Sequence, residues 1–274
     1  MYFIEILKAI IFGIVEGITE WLPISSTGHL ILLDEFVKLD ASEEFKEMFF
    51  VVIQLGAILA VVASFWKKLF PFSVERCGAI HIRKDIISLW GKILVACVPA
   101  AIIGLLFDDR IDALFYNPQT VAFTLILYGV LFIIIENRQK NREFRIRDVG
   151  GIDYKTALLI GVFQMLALIP GTSRSGATIV GALLIGVSRV AAAEFTFLLA
   201  VPVMFGASFL KMVKLGFPAA GREVAVLLVG TAVAFFVSLL AIRFLMSYIQ
   251  KRSFKVFGWY RIILGTIVTL YFLI

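Results

Sequence analysis

Apolar residues run in long unbroken stretches along this chain, with no alternation and no narrow helical stripe. Six stretches, at about 46–66, 87–107, 118–136, 191–213, 223–246 and 255–274, approach the ~20 residues a helix needs to cross the hydrocarbon core of a bilayer. Nothing shows the roughly ten-residue alternating segments of an outer-membrane barrel. Two further regions, 3–37 and 154–189, do not read as simple spans. Each holds an apolar helix of ~15–20 residues, a break rich in Pro, Gly and Ser, and a second short apolar helix. A break at membrane depth survives only where protein or a wet cavity satisfies the freed backbone. Both regions are therefore predicted to be re-entrant helical hairpins. The expected fold is an all-α polytopic membrane protein, six transmembrane helices plus two re-entrant hairpins, in a single integral membrane domain over 1–274.

Composition agrees. The chain is 61% hydrophobic and 17% charged, with a mean hydropathy of +0.98, which excludes an ordinary soluble domain. The N-terminus does not read as a cleaved signal: it lacks a basic leader, carries Glu5, and puts Glu16 and Glu20 where cleavage would fall. Cys77 and Cys97 make neither a disulfide framework nor a zinc motif. The net charge of +6 reads as basic cytoplasmic loops and not as a nucleic-acid surface.

Loop charge orients the spans. Lys67, Lys68, Arg76, Arg83 and Lys84 fill one loop; Arg138, Lys140, Arg142, Arg145, Arg147 and Lys155 another; Lys251, Arg252 and Lys255 a third. These loops should be cytoplasmic. Segments with Asp34, Glu35, Asp40, Glu43, Glu44 and Glu47, and with Asp108, Asp109 and Asp112, should lie outside, together with both termini. Lys211, Lys214 and Arg222 in an expected outer loop are a mild exception. The halves also match: Gly13, Glu16, Pro23, Ser25, Ser26 and Glu47 align with Gly161, Gln164, Pro170, Thr172, Ser173 and Glu194 at an offset of 147 or 148 residues. One hairpin plus three spans per half, 1–136 and 154–274, makes the second repeat inverted, because three is odd. Inverted repeats with broken helices place a binding site near the midplane.

The two breaks carry the chemistry. Gly13, Glu16, Gly17 and Glu20 share one helical face, so small residues admit a neighbouring helix and the carboxylates turn into the bundle. Ionisable groups at this depth are functional candidates. A carboxylate pair either shares a proton, binds a divalent cation, or is satisfied by backbone and hydroxyls. After Pro23, the residues Ser25, Ser26 and Thr27 open the second helix of the hairpin, as caps, as an anion site, or both, with His29 one turn inside. His81 lies in an expected cytoplasmic loop. The second break supplies Gly171, Ser173, Arg174, Ser175 and Gly176: hydroxyls and a guanidinium fork suited to phosphate oxygens or to pairing with Glu16 or Glu20. These residues indicate a phosphoryl ligand more firmly than they indicate hydrolysis.

Three motifs in order, Glu16-Gly17-Ile18-Thr19-Glu20, Pro-x-Ser-Ser-Thr-Gly-His at 23–29 and Pro-Gly-Thr-Ser-Arg-Ser-Gly-Ala-Thr at 170–178, are similar to those of the undecaprenyl-diphosphate phosphatase, or bacitracin-resistance, family. Val52-Ile53-Gln54-Leu55-Gly56 and Gly186-Val187-Ser188-Arg189 add to the resemblance, which covers essentially the whole chain. It implies removal of the terminal phosphate of undecaprenyl diphosphate at a site opening outward from the bacterial cell membrane. The product is the lipid carrier for peptidoglycan and other wall glycans. It also implies a divalent cation, Mg²⁺ or Ca²⁺, held by Glu16 and Glu20. Ser26 becomes the nucleophile, with His29 or Glu20 as general base; Arg174, with Ser25, Thr27, Ser173, Ser175 and Thr178, binds phosphate. Attack by a metal-activated water stays open. A homodimer is compatible with the family, though the sequence supplies no interface. The rival readings are a polyprenyl-phosphate flippase, which shares the inverted-repeat architecture, and a two-histidine lipid phosphatase, for which only His29 is suitably placed.

Overall fold

The computed structural model describes residues 2–74, 80–115, 117–139, 143–215 and 221–273. The chain folds into α1 (Tyr2–Thr19), α2 (Ser26–Phe36), α3 (Glu43–Ser64), a single turn α4 (Trp66–Leu69), α5 (Lys84–Phe115), α6 (Pro118–Gln139), α7 (Tyr154–Met165), α8 (Arg174–Ile185), α9 (Arg189–Leu215), α10 (Arg222–Lys251) and α11 (Lys255–Leu273). Both regions expected to be hairpins are two helices around a break, α1–α2 and α7–α8. Among the described residues, five helices are long and apolar enough to cross a membrane: α3, α5, α6, α9 and α10. The sixth expected crossing forms the 19-residue α11, which carries Lys255 and Arg261 and is not among those five. The expected loop at 67–85 contains a small antiparallel hairpin, β1 (Phe72–Val74) against β2 (Ile80–Ile82), which short apolar runs in a basic loop did not announce. Cys77, Arg76, Lys140 and Arg142 lie outside the described residues, as do the side chains of Asp108, Asp109 and Asp112.

Helices in lipid gain nothing from hiding apolar surface from one another, so close backbone approach decides their pairing. On α1, a Cβ at Gly13 would sit 2.6 Å from the Gly230 carbonyl oxygen, and one at Gly17 2.9 Å from that of Ala234, which seats α1 along α10. In the other half, Gly161 of α7 lies against the carbonyl of Ala96, seating α7 along α5. Gly129 and Gly258 do the same for α6 and α11, each 2.7 Å, as a Cβ, from the other's carbonyl oxygen.

The α3–α9 pair is tied at opposite ends. Glu47 at the start of α3 meets Lys211 near the end of α9 at 3.5 Å, while Lys68 just past α3 meets Glu194 at the start of α9 at 2.5 Å. The two helices therefore run antiparallel, and the cationic Lys211 has an acidic neighbour. Gly186 closes α8 in the left-handed region (φ 96°), and the chain turns directly into α9. There Arg189 grips Glu136 of α6 through Nε at 2.9 and 3.1 Å and through a terminal nitrogen at 2.5 Å. Glu136, 1% exposed, also accepts the Phe254 N–H at 2.9 Å. One carboxylate so joins α6, α9 and the entry to α11.

Candidate active site

The two hairpin breaks are built alike. Ser25 and Ser173 are the only described non-glycine residues with positive φ, 75° and 71°. Each is the N-cap of the second hairpin helix, and its hydroxyl accepts the N–H three residues on, Gly28 or Gly176, at 3.2 Å. The cap both satisfies an orphan donor and holds a residue where side chains rarely sit, a strain concentrated at functional sites. Ser25 thus corresponds to Ser173, 148 residues on, one step from the expected pairing of Ser26 with Ser173. Ser26 corresponds instead to Arg174: each is the first residue of its helix, one offering a hydroxyl and the other a guanidinium.

Those two side chains meet on one carboxylate. Ser26 donates its hydroxyl to Oε2 of Glu20 at 2.5 Å, and Arg174 donates to Oε1 at 3.0 Å. Arg174 and Glu20 side chains are only 11% and 9% exposed, so the pair is largely removed from water. Arg174 also donates to the Thr196 carbonyl at 3.1 Å and lies 5.9 Å from the Trp21 ring centre, while its buried Nε has no partner. A donor left free between two helix N-termini is placed to meet an anion.

Glu16, one turn before Glu20, is fully buried, and neither of its carboxylate oxygens has a hydrogen-bond partner. A bare buried carboxylate is costly and calls for a proton or a cation. Glu20 spends both oxygens on Ser26 and Arg174. No group of three or more His, Cys, Asp or Glu comes together among the described residues. Of the two expected cation ligands, Glu16 alone therefore keeps carboxylate oxygens without a protein partner, oxygen donors of the kind Mg²⁺ and Ca²⁺ take.

The remaining candidates separate. Ser175 reaches across the hairpins, its hydroxyl 3.4 Å from the Glu20 carbonyl oxygen and 3.1 Å from the Ser173 hydroxyl. Thr178 is buried, donates back to the Arg174 carbonyl at 2.9 Å and receives the Thr196 hydroxyl at 2.9 Å, bracing the first turn of α8. Thr27 is exposed and outside this cluster. His29 is half-buried and does not bond Ser26: its Nδ1 lies 2.7 Å from the Ser25 carbonyl oxygen and its Nε2 2.7 Å from the Tyr260 hydroxyl.

Sequence reading passed over Tyr260 and Arg261. Arg261 is fully buried in α11 and donates to carbonyls of both hairpin turns. The signal was present, since an arginine inside an apolar stretch is itself a candidate; it was masked because no break or motif surrounds it. An apolar cleft of about 510 Å³ lies between α6 and the second turn, lined by Phe123, Leu127, Leu166 and Ile169 together with Thr124 and Thr172.

This geometry has counterparts in known proteins. The family model described as bacitracin resistance protein BacA matches residues 9–267. An undecaprenyl-diphosphatase of Enterococcus faecalis is 66% identical over 98% of this chain and 97% of its own length. One of Desulfitobacterium hafniense is 62% identical over 99% and 98%, and undecaprenyl-diphosphatase 1 of Clostridium acetobutylicum is 61% identical over the full length of both. With its paired serine-capped breaks and near end-to-end matches of this kind, the chain belongs to the BacA bacitracin-resistance family.

Proposed function

We propose that this multi-pass membrane protein hydrolyses undecaprenyl diphosphate to undecaprenyl phosphate and inorganic phosphate, recycling the lipid carrier of wall-glycan synthesis and conferring resistance to bacitracin. The observation that carries the reading is the convergence of Ser26 and Arg174, from opposite hairpins, on the Glu20 carboxylate. Glu20 accepts the Ser26 proton as Oγ attacks the terminal phosphorus. The bond from that phosphorus to the bridging oxygen breaks, and undecaprenyl phosphate leaves with its electrons. Arg174 follows the charge onto the phosphoryl oxygens, with its unpartnered Nε as the first donor available. Water then attacks the phosphoserine, Glu20 serving the proton transfers in reverse, and phosphate departs. Glu16 with Glu20 would hold a divalent cation, whose charge offsets that of the diphosphate. His29, engaged by Tyr260 and the Ser25 carbonyl, orients the start of α2 and leaves the base role to Glu20.

The fine architecture belongs to the same reading: six crossings, two re-entrant hairpins, an inverted repeat, and a site opening to the outer face with both termini outside. Its supports are the matching caps at Ser25 and Ser173, the α1–α10 and α7–α5 pairings, and the antiparallel ties of α3 and α9. The test is phosphate release from undecaprenyl diphosphate by purified protein in detergent, with acid-quench trapping of phosphoserine at Ser26. Binding without turnover would favour a flippase and sink hydrolysis; phosphohistidine at His29, or full activity in Ser26→Ala, would remove Ser26 as nucleophile.

A further inference from the structure

Arg261 has no part in the motifs, yet no side chain in the described structure is tied to more of the site. Its terminal nitrogens donate to Pro23 O at 3.2 Å in the first hairpin turn, and to Gly171 O at 2.9 Å and Thr172 O at 3.0 Å in the second. Further bonds reach Thr124 O at 3.3 Å and Leu125 O at 3.4 Å on α6, and the guanidinium lies 5.4 Å from the Tyr128 ring centre. Every hydrogen-bond acceptor is a backbone carbonyl. Burying a permanent cation among neutral dipoles costs stability compared with an apolar residue of the same volume. The guanidinium offers five donors in a rigid plane, and that plane bridges the turns at residues 23 and 171–172 at once.

The position matters as much as the bonds. A Cβ on Gly176 would lie 3.2 Å from an Arg261 terminal nitrogen, so the guanidinium sits directly behind the first turn of α8, where Arg174 begins. Pro23 stands two residues before the Ser25 cap, and Thr172 one residue before the Ser173 cap. The carbonyls Arg261 holds are thus those that set where each cap starts and where Ser26 and Arg174 point.

We infer that Arg261 is a positioning residue for the reaction: it clamps the two hairpin turns to each other, so that the Ser26 hydroxyl and the Arg174 guanidinium meet at one phosphoryl group. It touches neither the carboxylate nor the substrate and acts only through the turns. The kinetic part of the claim rests on the phosphatase reading above; the structural part does not.

The experiment compares wild type with Arg261→Lys, which keeps the charge but loses the plane, and with Gly176→Ala, which keeps all the hydrogen-bonding groups and crowds the guanidinium. In hydrogen–deuterium exchange on detergent-purified protein, Arg261→Lys should raise exchange in both 20–28 and 168–176 together and leave α3 and α9 unchanged. Exchange rising in one turn only, in neither, or throughout the protein would overturn the clamp. In phosphate-release assays the Lys variant should lose kcat by about 100-fold, the order expected for an ångström-scale misplacement, with KM within about threefold. Gly176→Ala should show a smaller loss of the same kind. A kcat within about threefold of wild type in the Lys variant, or a loss carried by KM, would refute positioning. If wild type releases no phosphate, the phosphatase reading fails, and the exchange data still decide the clamp.

Discussion

Replacing Glu20 by Gln tests the chemistry with almost no change of shape. Glu20 accepts from Ser26 through one oxygen and from Arg174 through the other. A glutamine has one acceptor and one donor in the same positions. Its amide nitrogen cannot face Arg174, which offers only donors, so the oxygen stays with Arg174 and the nitrogen turns to Ser26. The serine then receives a hydrogen bond where it formerly gave one, and its proton has nowhere to go. Loss of a general base of this kind costs about 10²–10⁴-fold in kcat, or roughly 3–5 kcal/mol of transition-state stabilisation. Folding should suffer less. Arg174 keeps a neutral acceptor, so the cost is nearer the 1.5–3 kcal/mol of a charged hydrogen bond than that of an abandoned buried ion. The assay is phosphate release by purified protein in detergent. His29→Asn is the contrast: it forfeits the 2.7 Å contact to Tyr260, a neutral bond worth about 1 kcal/mol, and should lose less than about tenfold. A Glu20→Gln variant within tenfold of wild type, or a His29→Asn variant more damaged than it, would refute the assignment of the base.

Three further outcomes are expected. Glu16→Gln should raise the divalent cation concentration needed for half-maximal rate by at least about tenfold, since even outer partners of a metal ligand are worth 10–100-fold; an unchanged cation requirement would move the site elsewhere. Gly13→Ala, with its Cβ 2.6 Å from the Gly230 carbonyl oxygen, should overpack the α1–α10 seam by about 1–3 kcal/mol and lower the thermal midpoint in detergent, which scanning fluorimetry reads directly. Cysteines placed at Asp40 and Arg145 in a cysteine-free background should react with an impermeant maleimide from outside and only after lysis, respectively; the reverse order would invert the topology.

Much of this molecule is legible in its sequence. Long apolar runs mark helices because a bilayer leaves backbone polar groups no other partner, and the breaks at 23–29 and 170–176 stand out because such interruptions need protein around them. The face shared by Gly13, Glu16, Gly17 and Glu20 follows from helical period alone, and in the structure its glycines do meet α10 while its acids are buried. Arg174 and Ser26 are conspicuous as polar residues in apolar company.

What local pattern could not decide is who touches whom across 150 residues of chain. That Glu20 divides its two oxygens between Ser26 and Arg174, while Glu16 keeps both of its own unpartnered, depends on how two hairpins butt end to end. His29 and Ser26 are three residues apart on one helix, which suggests a pair; packing against Tyr260, 231 positions later, turns the imidazole away. The hydroxyls of Ser25 and Ser173, candidate phosphate ligands by composition, each accept a helix N–H as caps, and only the backbone geometry assigns that bond. Arg261 could be noticed as a charge in an apolar run, but its role exists only where three elements converge on one guanidinium. Sequence therefore determined the helices, the breaks and the polar residues available, because those follow from local period and from the membrane as solvent. The tertiary structure alone decided which of those residues are partnered, because hydrogen-bond capacity is small and is assigned by contact, not by proximity in sequence.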